Sequence, residues 1–250
     1  MLIVIMEFIA YVVLPVYLYL LFIRTKQDVA EYANFKKIKS TKSRQQKYRK
    51  WVLESFLLFG LGSVLLLAAT GHFSNITHPL SQFTDLVPRT TTTQADDTGS
   101  SIPFILGMLS SGLLIGLVIA KFAKKNKKNA AVIGDIQAMF PRNNAERFWA
   151  AILAINAGFS EEMFFRLLLP ILFFIVFKNP VIALVLPIVI FGLVHWYQGK
   201  IGVVFTAILG AGLTFLYLTT RNIFAVMAIH ALIDLNSLIM QPLFHGLHNK

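Results

Sequence analysis

The chain contains no cysteine. Disulfides, thiolate metal sites and a cysteine nucleophile are therefore excluded. Charge is scarce: 14% of residues are Asp, Glu, Lys or Arg, against about 25% in a soluble domain. Acidic residues are the scarcer kind, 12 against 23 basic, for a net charge of +11. What fills the chain instead is apolar. Hydrophobic residues make up 56% of it, with 22 Phe and a mean hydropathy of +0.66. Several apolar runs are about 20 residues long, the length a helix needs to cross a bilayer core. The fold class implied is all-α, a polytopic transmembrane helical bundle.

The runs fall at about 2–23, 51–70, 102–120, 147–177, 181–197, 201–219 and 223–243, or about seven spans. The first has no basic leader and no small-residue cleavage site, so it reads as a retained span and not a signal peptide. The fourth, of about 31 residues, would extend roughly 46 Å as a helix, more than a bilayer core of about 30 Å. It must tilt strongly, or its first part lies in the interface as an eighth helix, with the span starting near Gly158–Ser160. Pro170 offers a second break. Two regions follow, an N-terminal transmembrane region over 1–130 and a second region over 131–250.

The positive charge lies between the apolar runs. Ten Lys/Arg fall in 24–50 and seven in 121–147, while the 71–101 connection holds one, Arg89, with Asp85, Asp96 and Asp97. This pattern fits membrane topology and anionic lipid headgroups at the basic loops, and no nucleic-acid partner. It places both basic loops in the cytoplasm, the N-terminus outside and, after seven spans, the C-terminus inside. Three features need no special function. Gly112 and Gly116, beside Ser110 and Ser111, form a GxxxG suited to close helix packing. TTTTQADDTGSS at 90–101 is a polar linker. Asn75-Ile76-Thr77 is a chance sequon. No repeat is evident, and nothing defines an oligomeric state.

An ionisable side chain at membrane depth is costly and faces a bundle interior or a wet cavity. Glu7 and Glu54 lie near span ends and can reach the interface. The others form three groups on late spans: SEEMFFR at 160–166, His195 in FGLVH, and His230 with Asp234 in AVMAIHALID. Glu162 and Arg166 are four residues apart, so they share a helix face and pair. Glu161 points about 100° away from Glu162 and needs a partner from another helix, His195 being the expected one. His230 and Asp234 share a face, as do Phe191 and His195, the latter pair stacking a ring beside an imidazole. By residue counting, His195 lies roughly 22 Å from the outer boundary near Pro180, and His230 roughly 12 Å from Asn222. The groups meet only with tilt or a broken helix.

Each element has a plainer reading: a lone membrane histidine usually serves an interhelical hydrogen bond, and a lone Glu–Arg pair is usually structural. Together they offer chemistry. A glutamate beside a histidine in a restricted-water cavity can polarise water for attack on an amide carbonyl. No serine nucleophile is set up, since Ser160 lacks a nucleophile-elbow context. Alternatively Glu161, His195, His230 and Asp234 offer the N and O donors that a divalent metal such as zinc accepts, although HExxH is absent.

At these residues the sequence resembles the CPBP (Abi) intramembrane proteases, which include CAAX prenyl endopeptidases and bacteriocin-immunity proteins. Their pattern of EExxxR, FxxxH and HxxxN or HxxxD is matched by Glu161-Glu162-Met163-Phe164-Phe165-Arg166, Phe191-Gly192-Leu193-Val194-His195 and His230-Ala231-Leu232-Ile233-Asp234. The resemblance covers about 147–240, and residues 1–146 carry no motif of it. It implies that Glu161 and His195 activate water, and that Glu162 holds the site through Arg166 or His230. His230 and residue 234 would then stabilise the oxyanion. Asp234 stands where eukaryotic-type CAAX enzymes have Asn. An ionised Asp only accepts hydrogen bonds and repels an oxyanion, so orienting His230 or ligating a metal suits it better. Leu167, where Gly often follows the Arg, bears on packing. A glutamate-activated water without metal is preferred to a metal-bound one. The implied substrate is a membrane-associated peptide or protein in a bacterial cell membrane, cut for processing or bacteriocin self-immunity. Two other classes remain, a non-catalytic immunity or scaffold protein of the same fold and a transporter, the latter disfavoured because no inverted repeat is seen.

Overall fold

The computed structural model describes residues 2–86 and 134–244. The expected span at 102–120, its GxxxG, the Thr-rich linker and the 121–133 part of the second basic loop lie outside the described residues. Among the described residues there are no strands, and six long helices form the bundle. They are α1 (Leu2–Phe35), α2 (Thr41–Ala69), α3 (Asn144–Glu162, running on through Met163–Leu168 into Leu169–Phe177), α4 (Pro180–Val194), α5 (Gly199–Thr220) and α6 (Ile223–Leu243). Glu7–Phe35 of α1, all of α2, Trp196–Thr220 and α6 are long and apolar enough to cross a membrane, and α4 is a shorter apolar helix. The protein is an all-α membrane bundle.

Local sequence sets the helix boundaries. Asn143, Asn179 and Asn222 each stand just before a helix and accept hydrogen bonds from its first free backbone amides, the usual N-cap device. The α3–α4 and α5–α6 turns share one design. A basic residue in left-handed conformation, Lys178 (φ 53°) or Arg221 (φ 54°), ends one helix. The Asn that follows starts the next. Left-handed backbone costs a non-glycine residue about 1–2 kcal/mol, and a cation at a helix C-terminus offsets part of that through the dipole.

The fourth apolar run does not break at Gly158–Ser160. Its helix continues, and the irregularity comes immediately after the two glutamates, where Met163–Leu168 widens into a π-turn. Pro170 has no N–H for the Arg166 carbonyl, and a wider turn accommodates that loss. Two further π-segments interrupt α2 at Phe56–Leu61 and α6 at Asn236–Met240.

Two hydrophobic cores stack along the bundle. The larger surrounds the second half of α3, where every side chain from Glu162 to Phe173 is buried. It is closed by Leu14 and Tyr17 of α1, Leu67 of α2, Phe191 of α4, Leu213 and Tyr217 of α5 and Val226 of α6. The smaller lies at the basic end and is largely aromatic. Tyr32 and Phe35 of α1, Tyr48 and Trp51 of α2, Trp149 and Ala150 of α3, and Leu238 of α6 meet there. Helix α1, with 34 residues, is about 51 Å long, enough to serve both cores. Glu7 and Glu54 do not simply face water. Lys178 reaches Glu7 at 2.6 Å and Arg24 reaches Glu54 at 2.6 Å. Asn75 of the sequon is only 9% exposed, so its amide is not presented to solvent.

Candidate active site

Close packing of α3 on α6 creates the site. A Cβ on Gly158 would fall 2.7 Å from the Met227 carbonyl oxygen and 2.8 Å from Ala231 Cβ. Only a glycine lets the helices approach this closely, and the approach brings the glutamates one turn later onto His230. Glu162 Oε1 lies 2.6 Å from His230 Nδ1. A carboxylate only accepts, so Nδ1 carries the proton and donates, and Nε2 is left facing the other way. There it meets Glu161 Oε2 at 3.9 Å and Asp234 Oδ2 at 3.8 Å.

Arg166 stands behind this group. Its Nη1 is 3.1 Å from Glu162 Oε1, an ion-pair contact without hydrogen-bond alignment, since Nη1 has no hydrogen-bond partner. Its Nη2 donates to the Gly210 carbonyl at 3.5 Å, and its guanidinium lies 4.4 Å from the Phe191 ring centroid. Gly210 admits this arrangement because a Cβ there would sit 2.8 Å from Phe191 Cδ1. Phe191 thereby becomes the central plate, 4.8 Å from the His195 ring and 6.0 Å from that of His230.

His195 caps the C-terminus of α4, where the chain turns through Trp196–Gln198. Its Nδ1 is 2.7 Å from the Phe191 carbonyl oxygen. A carbonyl only accepts, so Nδ1–H donates and Nε2 keeps a free lone pair. His195 is within charge-interaction range of Asp234, His230 and Arg166.

The site has two layers. Glu162, Arg166 and His230 are buried at 0%, 2% and 2% exposure. In front of them, the side chains of Glu161 and Asp234 keep 18% and 31% exposure, and His195 is half-buried. Glu161 Oε2 and Glu162 Oε2 are buried oxygens without a hydrogen-bond partner among the described residues, so acceptors remain free beside His230.

All seven side chains singled out in the sequence come together: Glu161, Glu162, Arg166, Phe191, His195, His230 and Asp234. One expectation is revised. The close contact of Glu161 is with His230 and not with His195. Glu161, His195, His230 and Asp234 carry donor atoms a metal accepts, yet no three His, Asp or Glu side chains converge as a ligand set among the described residues.

Sequence reasoning missed Tyr197. Its ring lies 6.0 Å from His195 and 5.4 Å from Tyr32, and it is within charge-interaction range of Glu161 and Asp234. Gln198 Nε2 donates to its hydroxyl at 3.1 Å, which leaves the phenol proton free to be donated. The signal was the HWYQG run, a tyrosine two residues beyond the motif histidine in a tight turn. Also missed was a second buried pair at the basic end, Arg44 with Glu146, whose Nε and Oε2 are 2.9 Å apart.

No curated protein and no solved structure matches the chain. Residues 143–236, which hold all seven site side chains, match the family described as Type II CAAX prenyl endopeptidase Rce1-like, a match that supports a CPBP/CAAX intramembrane protease family.

Proposed function

We propose that this protein is an intramembrane endopeptidase that hydrolyses a peptide bond in a membrane-associated peptide or protein through a water activated by its side chains. The observation that carries this reading is the two-layered site. Partly exposed Glu161 and a half-buried His195 with a free Nε2 face outward, ahead of a buried Glu162–His230–Arg166 group. Glu161 takes a proton from water, and His195 Nε2 accepts the second water hydrogen and aims the oxygen at the carbonyl carbon. As the C–O bond forms, negative charge grows on the carbonyl oxygen. Asp234 cannot donate to it. His230 in its imidazolium form, with Nδ1–H held by Glu162 and Nε2–H on the side of Glu161 and Asp234, and the free O–H of Tyr197 are the donors for that oxygen. Collapse breaks the C–N bond, and the proton held by Glu161 passes to the leaving amine. Glu162, tied to His230 Nδ1, fixes that ring as the carboxylate of a catalytic triad does.

The family description names a CAAX prenyl endopeptidase, so a peptide carrying a lipid near the cut is the substrate class to try first. The loop charges support a cell-membrane protein with its N-terminus outside and its C-terminus cytoplasmic. In a bacterial cell membrane the products fit peptide processing or bacteriocin self-immunity.

The test uses purified protein in lipid nanodiscs, a lipidated peptide and ¹⁸O-labelled water. Cleavage should place one ¹⁸O in the new carboxylate. Glu161→Ala and His195→Ala should each lower the rate by about 10²–10⁴-fold while remaining folded. Full activity in either variant, or peptide binding without cleavage by the natural protein, would sink the reading, the second outcome in favour of a binding protein. Activity lost to a chelator and restored by zinc would assign water activation to a metal instead.

A further inference from the structure

Away from the site, α2 and the first half of α3 leave an open groove of about 820 Å³ between them, within the size range of small-molecule sites. Its lining is graded. Arg49 and Trp149 stand at the end nearer the helix starts, and Leu53, Phe56, Ile155 and Phe159 line the rest. Arg49, Leu53 and Phe56 follow one another at helical i, i+4, i+7 spacing, so the cation and the farthest ring are about 10 Å apart along α2. The apolar part has no free polar group competing for a ligand. Asn156, which also lines it, donates to Ser55 Oγ at 2.5 Å and to the Val52 carbonyl at 3.3 Å.

Arg49 differs from its neighbours. Lys50 is neutralised by Glu31 and Glu54, and Arg44 by Glu146. Arg49 has no acidic partner among the described residues. Its exposed guanidinium rests 5.2 Å from the centre of the Trp149 ring. A stacked arginine keeps its planar fork and its full charge for a phosphate. A tryptophan beside a cation, above a strip of Leu, Phe and Ile on two membrane helices, is the arrangement of a headgroup-level belt over hydrocarbon.

We propose that this groove is a binding site for one anionic phospholipid of the bilayer. Its phosphate sits on Arg49 and Trp149, and an acyl chain lies along Leu53, Phe56, Ile155 and Phe159, wedged between α2 and the helix that carries Glu161. The proposal does not depend on the peptidase reading, since it is measured as binding. The apolar strip excludes free phosphate as the natural occupant, and the unpaired Arg49 disfavours a zwitterionic lipid.

Native mass spectrometry of protein released from nanodiscs of phosphatidylglycerol or phosphatidylcholine tests it. One phosphatidylglycerol should be retained per chain and phosphatidylcholine should be lost. Arg49→Gln should weaken retention about tenfold, and Ile155→Trp, which fills the groove, should abolish it. Lys37→Gln, at another exposed cation away from the groove, and added inorganic phosphate should change nothing. Equal retention of both lipids, or equal effects of the Arg49 and Lys37 variants, would overturn the site. Displacement of the phospholipid by a lipidated peptide would assign the groove to substrate and overturn it as well.

Discussion

Arg44 with Glu146 and Arg166 with Glu162 are both buried ion pairs of one bundle, each at 0–2% exposure, yet they are finished differently. Arg44 is the more fully bonded clamp, with Nη1 and the Glu146 Oε1 left without a hydrogen-bond partner among the described residues. Its Nε donates to Glu146 at 2.9 Å, and its Nη2 donates to the Ala138 and Phe140 carbonyls at 2.9 and 3.0 Å and to Tyr48 at 3.3 Å. The guanidinium is stacked 4.2 Å from the Phe35 ring centre. Glu146 also accepts the Arg142 amide at 3.0 Å, while Asn143 caps the same turn. One α2 side chain thus ties the start of α3 to its preceding loop. Arg166 makes one hydrogen bond, at 3.5 Å, and its Nε and Nη1 have none. Its partner Glu162 is shared with His230. A buried polar network rigidifies a structure the more fully it is bonded, and each group left open is costly; the Arg166 pair leaves both Nε and Nη1 open where the Arg44 pair leaves only Nη1 of the guanidinium. The more open one adjoins the exposed carboxylates. The two pairs teach that burial of a Glu–Arg pair says little by itself, and that the number of satisfied donors separates a clamp from a candidate site.

The strongest way to break this comparison is Glu162→Gln. The amide oxygen still fits against His230 Nδ1, but the charge that holds the imidazole and Arg166 is gone. Turnover per folded molecule is expected to fall by about 10²–10⁴-fold, as when a triad carboxylate is neutralised. Peptide-cleavage kinetics on monodisperse protein would read this, and unchanged turnover would move Glu162 into the same class as Glu146. The second is Arg44→Met, which strands Glu146 in an apolar core. The expected cost is about 3–5 kcal/mol of stability, seen as a large drop in thermal midpoint in detergent, with turnover per folded molecule kept. Adding Glu146→Leu should recover much of the loss, because removing both charges removes the desolvation cost as well. A double variant no more stable than the single one would mean that the clamp's value lies in its carbonyl contacts.

The same contrast explains what could be read from sequence. Glu161, Glu162, Arg166, His195, His230 and Asp234 stand out because a charge in an apolar run has to be explained, and i,i+4 spacing correctly joins Glu162 to Arg166. Arg44 and Glu146 are invisible by that logic. They lie in polar stretches, TKSRQQKYRK and PRNNAER, where a buried charge has the same neighbours in sequence as a solvated one. The helices were legible wherever hydropathy carries them. The π-turn after Glu162 was not, because it depends on Pro170 and on packing from α2 and α4. Nor was the contact of Glu161. Which imidazole faces it is set by how closely α3 meets α6 at Gly158, a tertiary distance that spacing within one helix does not encode.

The smallest expected effect falls on Tyr197, which lies on the seam between the two regions. Its ring touches Tyr32 of the aromatic core on one side and His195 of the site on the other. Tyr197→Phe keeps both ring contacts and removes only the hydroxyl, so it asks to which region that oxygen belongs. If the phenol donates to the carbonyl oxygen as charge develops, kcat should fall about tenfold with KM nearly unchanged. A single donor in such a hole can be worth 10²–10³, and His230 remains as a second. The thermal midpoint should move little, since the bond lost within the fold is the one from Gln198 at 3.1 Å, worth about 1 kcal/mol net. A lower midpoint with kcat intact would place the hydroxyl with Arg44 and Tyr48 in the clamp, and would leave His230 as the sole donor to the oxyanion.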